Sequence, residues 1–317
     1  MEPALPPLHP LVPALMSHLG LRIVDAIKWN VIACTDDEGN VPKWIIKLGS
    51  EPRKNESLAY EIRIMREVLP TLDTSEFERL VLPEYVDDGV FEEVRWLRIR
   101  YMEGRPLVYE WSELTDKTDI LGGRAIETDV ALAAIDVLRD LRSVDISSLP
   151  AFVRRFDFEK WINEFRTKSG VLVGQGVMEP ETVESALALF TSKRVQRYEG
   201  SMFTNGDFYP RNFIMLPQGK IGVTDWVGGV DPWEFVAMHA WILMWGNPKW
   251  QIEYTHALKK HFPIDVEEMR IGLLVRSFEQ AYRWRESVEE RIGFARTQML
   301  AYFHQCLDLD YVKTLFN

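Results

Sequence analysis

The stretch Thr204-Asn205-Gly206-Asp207-Phe208-Tyr209-Pro210-Arg211-Asn212, followed by Phe213 to Leu216, Pro217-Gln218-Gly219, Ile221 to Thr224 and then Asp225-Trp226, decides the reading of this chain. Asn, Gly, Asp and Pro make its first part a tight loop. The two short apolar runs around Pro217-Gln218-Gly219 read as a β-hairpin, which brings Asp207, Asn212 and Asp225 close together. All three side chains offer oxygen, the donor that suits hard magnesium and not zinc. Phosphoryl transfer needs such a set: one group to orient the attacking hydroxyl or accept its proton, and ligands for the cation that carries the phosphates.

Working back toward the start, Leu21 to Ile27 and Val31 to Thr35 read as strands, and Asp36-Asp37-Glu38-Gly39-Asn40 as a turn before a third strand, Lys43 to Leu48. Alternation puts Trp44, Ile46 and Leu48 on one face of that strand and Lys43, Ile45 and Lys47 on the other. Leu58, Ile62, Met65 and Leu69 then recur at helical spacing, with Asn55 as the cap and Pro70 as the stop. Glu61 borders the packed face of this helix, where a carboxylate can meet Lys47. Taken alone, the two also fit an interior ion pair.

Strands Leu80 to Val86 and Arg95 to Tyr101 are expected next, joined by an acidic turn at Asp87-Asp88-Gly89. At Met102-Glu103-Gly104-Arg105-Pro106 the pattern changes, and helical spacing dominates Val130 to Leu141, Val183 to Tyr198, Trp233 to Trp245 and Glu267 to Cys306. Phe156, Phe158, Trp161 and Phe165 suggest aromatic packing between the first two. The expected fold is α+β. A small strand-rich N-terminal lobe, 1–103, opens with a proline-rich lead-in, 1–20, and a larger, mostly helical C-terminal lobe spans 104–317.

With 37 basic and 48 acidic side chains, the net charge of -11 repels a polyanion and excludes nucleic acid as the expected partner. Cys34 and Cys306 offer neither a clustered metal site nor a disulfide framework. No window reaches the length of a membrane span, and the start is no signal peptide. A cytoplasmic protein, monomer or homodimer, is expected.

Asn205-Gly206-Asp207 through Asn212, with Asp225 behind, resembles the catalytic loop and metal aspartate of the aminoglycoside phosphotransferase and choline kinase superfamily, a branch of the protein-kinase-like fold. Ile45-Ile46-Lys47 is similar to its lysine strand and Glu61 to the partner glutamate. Arg100-Tyr101-Met102, leading into Glu103-Gly104-Arg105-Pro106-Leu107, resembles its hinge, and Gly229-Val230-Asp231-Pro232-Trp233-Glu234 the segment after the metal aspartate. The resemblance spans about Leu21 to Trp245. It implies a two-lobed small-molecule kinase using ATP, with GTP open, and Mg2+ to phosphorylate a hydroxyl. Asp207 would be the base, braced by Asn205; Asn212 and Asp225 would hold the metal. Lys47, fixed by Glu61, would contact phosphates, and Ile45, Ile99, Arg100, Tyr101 and Met102 would surround the base. The alternative is a catalytically silent nucleotide-binding protein or scaffold.

Two positions depart from the family pattern. Asn205 stands where the family usually has histidine, and Lys28-Trp29-Asn30, between the first two strands, contains no glycine. Lys47, Lys28 or the metal would then hold the phosphates. Trp226, in place of phenylalanine after the metal aspartate, and the lack of an activation segment argue against a protein kinase. His239, among Ala237, Met238, Ala240 and Trp241, reads as a helix-packing residue, and Asp231 as a brace for the helix start near Pro232. The aromatics Trp233, Trp241, Trp245, Trp250, Tyr282 and Trp284, with Glu279, Glu286, Glu289 and Glu290, raise a cationic amine, amino alcohol or aminoglycoside as the acceptor; most of them also read as core and helix surface.

Overall fold

Alternating apolar and polar residues build an antiparallel five-stranded sheet from β1 (Arg22–Lys28), β2 (Val31–Thr35), β3 (Trp44–Leu48), β5 (Tyr85–Phe91) and β6 (Val94–Arg100). Its order is β1-β2-β3-β6-β5, with the two-residue strands β4 (Leu80–Val81) and β7 (Arg105–Pro106) outside it. The computed structural model describes residues 8–49, 51–107, 129–192, 199–286 and 290–317. The chain divides into a strand-rich unit, comprising 1–75, 81–105 and 214–227, and a mostly helical unit, comprising 76–80, 106–213 and 228–317.

In the strand-rich unit, Ile46 and Leu48 of β3 pack with Ile32, Cys34 and Trp96 against Val12, Leu15 and Met16 of helix α1 (Val12–Leu19), and Trp44 covers the edge of this cluster. The proline-rich start thus contains a core helix. Pro13 lies in its first turn, where a missing N–H costs nothing. The opposite face of β3 carries Ile45 and Lys47, both buried, as the alternation requires.

Helix α2 (Pro52–Arg63) runs on through a π turn at Ile64–Val68 and a 3-10 turn at Leu69–Thr71, burying Leu58, Ile62, Met65 and Leu69. Asn55 is not its cap. The helix starts earlier, at Pro52, and Asn55 Oδ1 instead accepts from the Arg95 amide at 3.1 Å. The acidic turn also moves, since Asp87-Asp88-Gly89 lies inside β5 and the chain reverses at Glu92 and Glu93, whose φ angles are +47° and +67°. Cross-strand chemistry explains the shift: Asp87 pairs with Arg98, and a Cβ on Gly89 would lie 2.8 Å from the Trp96 indole.

The helical unit contains α3 (Asp129–Arg142), α4 (Phe158–Gly174), α5 (Pro180–Phe190), α6 (Trp233–Leu243), α7 (Pro248–His261), α8 (Val266–Arg283), α9 (Glu290–Cys306) and α10 (Leu309–Leu315). The helix expected over Val183 to Tyr198 is α5, and 193–198 lie outside the described residues. Trp161 and Phe165 of α4 join Phe190, Phe278 and Phe303 in an aromatic core, with Phe165 and Phe278 centroids 4.5 Å apart. Buried Asp140 of α3 accepts the amides of Glu78, Arg79 and Leu80 at 2.9, 2.8 and 2.7 Å, which anchors 76–80 to this unit. Every residue of α6 is buried, including two polar ones, Glu234 and His239. Among the described residues no helix is long and apolar enough to cross a membrane.

Glu234, in the first turn of α6, gives a pH-dependent term to stability. Burial, reinforced by Glu268, raises its pKa from 4.5 to about 7. The folded state therefore holds a proton that the unfolded chain has released, so this contribution is complete below pH 4.5 and is lost as pH rises through 7. Its size is on the order of 3 kcal/mol. Urea unfolding of wild type and Glu234→Gln near both ends of this range checks it: the wild type should lose stability that the variant keeps, and parallel behaviour would contradict the assignment.

Candidate active site

Strand β3, the helix that follows it and a segment 178 positions further on meet at Lys47. Strand β3 aims its ammonium to 2.6 Å from Glu61 Oε1 of α2 and 2.6 Å from Asp225 Oδ1. Burial would strip the proton, but the charges of Asp225 and Glu61 outweigh it and hold the pKa above the ordinary 10.5. Glu61 also accepts a hydrogen bond from the backbone of Trp226. Trp226 is wholly buried, and its indole donates to the Val223 carbonyl at 2.8 Å. Asp225 adopts φ +59°, a left-handed conformation rare outside glycine. Such strain persists only where the surroundings enforce it, and here the Lys47 bond and the seated Trp226 do so.

Asp225 follows a hairpin formed by β9 (Phe213–Met215) and β10 (Ile221–Val223), turned at Pro217–Gly219 as the sequence indicates. Within the same unit, Ile45 and Ile99 are paired neighbours on β3 and β6, 8% and 3% exposed. Of the hinge amides, Arg100 donates to Glu84 O and Tyr101 to Lys43 O, at 2.9 and 2.8 Å. The Arg100 side chain is committed to Glu84 and lies over Trp44. The link between β1 and β2 is a two-residue turn at Trp29-Asn30 rather than a loose loop. Asn30 exchanges hydrogen bonds with Leu48, at 2.7 and 2.9 Å, and the Trp29 carbonyl accepts from the His9 amide at 2.8 Å.

The loop carrying Asp207 belongs to the helical unit, between β8 (Met202–Phe203) and a 3-10 turn at Pro210–Asn212; β8 pairs with β11 (Val230–Asp231). Gly206, at φ +84°, allows the sharp bend, and Gly228 passes so close that a Cβ there would lie 2.2 Å from the Gly206 nitrogen. Asn212 Nδ2 donates to Asp207 Oδ2 at 3.0 Å and to its backbone carbonyl at 2.8 Å. Buried Asn205 donates through Nδ2 to that carbonyl at 3.3 Å and accepts from the Thr204 hydroxyl at 3.4 Å.

The residue that the sequence reading missed is His239. Its Nε2 lies 3.0 Å from Asp207 Oδ1, while its buried Nδ1 has no partner among the described residues. Its environment, not its spacing, held the signal: a polar ring in a buried, largely apolar helix needs a hydrogen bond. Burial, opposed by Asp207, keeps the imidazole pKa below 6.5, so the ring is neutral and donates through Nε2. Burial would raise the Asp207 pKa, yet His239, Arg283 and Asn212 overcome it and hold the carboxyl well below the usual carboxylate range.

Several residues considered for an amine acceptor have other partners. Glu279 is bonded to Arg276 at 2.8 Å and to the Trp161 indole at 3.0 Å; Arg276 also holds Asp231 at 2.7 Å, the bracing role expected of that aspartate. Glu286 pairs with Arg285, which lies over the Tyr282 ring. Trp233 stacks on Phe262 and Trp250 on Tyr254. Glu289, with the side chain of Glu290, lies outside the described residues. Among the described residues no group of three His, Cys, Asp or Glu forms a metal site. Taken separately, Asp225 offers carboxylate oxygens and Asn212 an amide oxygen, its nitrogen donating to Asp207. Oxygen donors of this kind suit a hard cation.

The phosphotransferase enzyme family, APH, matches residues 30–270. The chain belongs to this family, within the aminoglycoside phosphotransferase and choline-kinase-like superfamily. Its fold is that of the gentamicin-APH(2'')-IIa complex, at 15% identity and TM-score 0.60, covering 94% of this chain and 99% of that one. Macrolide 2'-phosphotransferase MphH from Brachybacterium faecium is similar at 16% identity and TM-score 0.56, over 90% and 96% of the two chains. Choline kinase LicA from Streptococcus pneumoniae is similar at 12% identity and TM-score 0.55, over 92% and 97%. No curated protein matches the chain. Family membership supports a general phosphotransferase activity on a small-molecule hydroxyl.

Removing the Lys47 charge leaves Glu61 buried without its cation, so Lys47→Met should cost roughly 3 kcal/mol of stability. Adding Glu61→Gln removes the stranded charge and should restore part of that loss. Denaturant unfolding of the single and double variants measures this, and a double variant less stable than Lys47→Met would contradict the pairing.

Proposed function

We propose that this protein is a small-molecule kinase that moves the γ-phosphoryl group of ATP, or GTP, to an acceptor hydroxyl. The observation that carries the reading is the Lys47 ammonium held at 2.6 Å from both Glu61 and Asp225. An interior ion pair needs only one carboxylate. A second, more than a third exposed and on a strained backbone, suits a group that also meets a ligand.

In this reading Lys47, steadied by Glu61, binds the phosphates, and Ile45 and Ile99 flank the nucleotide base. The Met102 amide, which makes no hydrogen bond among the described residues, donates to the base edge beside Arg100 and Tyr101. Asp225 and the Asn212 amide oxygen would hold Mg2+, which neutralises charge developing on the phosphates. Asp207 orients the acceptor hydroxyl, with Asn205 bracing its loop. As the acceptor oxygen bonds to phosphorus, the bond from the γ-phosphorus to the bridging oxygen breaks, and the acceptor proton passes to Asp207. The depressed pKa of Asp207 makes it a weak base in the ground state. It therefore takes the proton late, once the new bond has made the hydroxyl acidic. The stiff Trp29-Asn30 turn leaves phosphate binding to Lys47, with Lys28 as a second cation, and to the metal.

A turnover screen following nucleotide consumption tests this across amino alcohols, aminoglycosides, macrolides, sugars and nucleosides. Nucleotide binding without turnover on any acceptor would favour the silent nucleotide-binding alternative. Asp207→Asn should lower turnover on the order of a thousandfold with nucleotide affinity retained, whereas Asp225→Asn should weaken Mg·ATP binding as well. Calorimetry on both variants separates these roles, and equal losses of nucleotide affinity would overturn the division.

A further inference from the structure

We infer that His239 is the positioning residue of Asp207: from helix α6 its imidazole holds the carboxylate through Nε2–H. This rests on the reading of Asp207 as the hydroxyl-orienting group. Asp207 is gripped at three points. Asn212 holds Oδ2 and the backbone carbonyl, Asn205 adds a longer contact to that same carbonyl, and His239 alone among the described residues holds Oδ1.

The placement of His239 is costly unless it has this use. The ring is buried in a helix with no exposed residue, and its second nitrogen has no partner among the described residues. Burying a polar ring for one hydrogen bond is unfavourable where a leucine would fill the volume. The same burial that makes the position costly makes it rigid, and a rigid support is what a group that must meet a hydroxyl at one angle requires. With Oδ1 and Oδ2 each held by one donor, the carboxylate plane is fixed.

The test uses Mg·ATP hydrolysis, with water as the acceptor, by the full chain. His239→Leu should lower kcat roughly 10- to 100-fold, the loss typical of removing a supporting hydrogen bond, and leave KM for Mg·ATP unchanged. His239→Gln, which can place an N–H near the position of Nε2, should recover much of the rate, as should Asn205→His added to His239→Leu. Adding His239→Leu to Asp207→Asn should cause no further loss, because His239 acts through Asp207. Wild-type kcat in His239→Leu, or losses that multiply with Asp207→Asn, would overturn the inference. A normal Asp207→Asn loss beside a fully active His239→Leu sinks only the role of His239, whereas a fully active Asp207→Asn sinks the assignment of Asp207 itself. Nitrogen NMR of the wild-type imidazole adds a readout that needs no variant to fold: a neutral ring protonated at Nε2 is expected, and a ring protonated at Nδ1 or at both nitrogens would overturn the inference.

Discussion

A single buried ammonium organises the strand-rich unit. Lys47 would be untenable inside the protein without compensating charge, and the fold supplies two carboxylates from segments separated by most of the chain. Glu61 ties the sheet to α2, and Asp225 ties it to the segment that follows the hairpin. The Trp226 backbone bond to Glu61 and the buried indole then lock that segment in place. A left-handed aspartate survives at this junction because each of its neighbours is independently anchored. The same constraint leaves Asp225 partly exposed with little freedom of its own, which supports its proposed role as a ligand.

In the helical unit Asp207 stays ionised in a half-buried setting, where an imidazole and an amide donate to its two oxygens and the charge of Arg283 adds to them. Two donors of this kind fix direction as well as charge. Gly206 and Gly228 let two backbone strands pass at a separation that no side chain would permit, and so set the loop at the distance where α6 can reach it. The Arg276 network with Asp231 and Glu279 holds the start of α6 in turn, since Asp231 lies just ahead of Pro232 and Arg276 also donates to the Phe235 carbonyl.

Much of this was legible in the sequence where short-range rules apply. Strand alternation put Lys47 opposite the Ile46 and Leu48 face, helical spacing set Glu61 beside a packed stripe, and Pro217-Gln218-Gly219 marked the hairpin. The misreadings arose where tertiary contacts overrode local preference. Asp87-Asp88-Gly89 has turn composition but lies in a strand, because Arg98 pairs across from it and Trp96 needs the space over Gly89. Asn55 resembles a cap, yet its side chain is drawn to the Arg95 amide. The proline-rich lead-in gave no sign of α1, because Pro13 sits where a helix tolerates it. His239 could not be assigned from spacing, because its partner lies 32 positions away and only the completed fold brings the two together.

The most direct measurement is the protonation of Lys47 itself, followed by NMR of protein carrying isotope-labelled lysine across an alkaline titration, with and without Mg·ATP. The account predicts an ammonium that stays charged beyond the pH at which ordinary lysines, near 10.5, lose their proton, and whose signal moves when the nucleotide is added. A Lys47 that titrates with the surface lysines, or whose signal ignores Mg·ATP while the nucleotide binds, would contradict it.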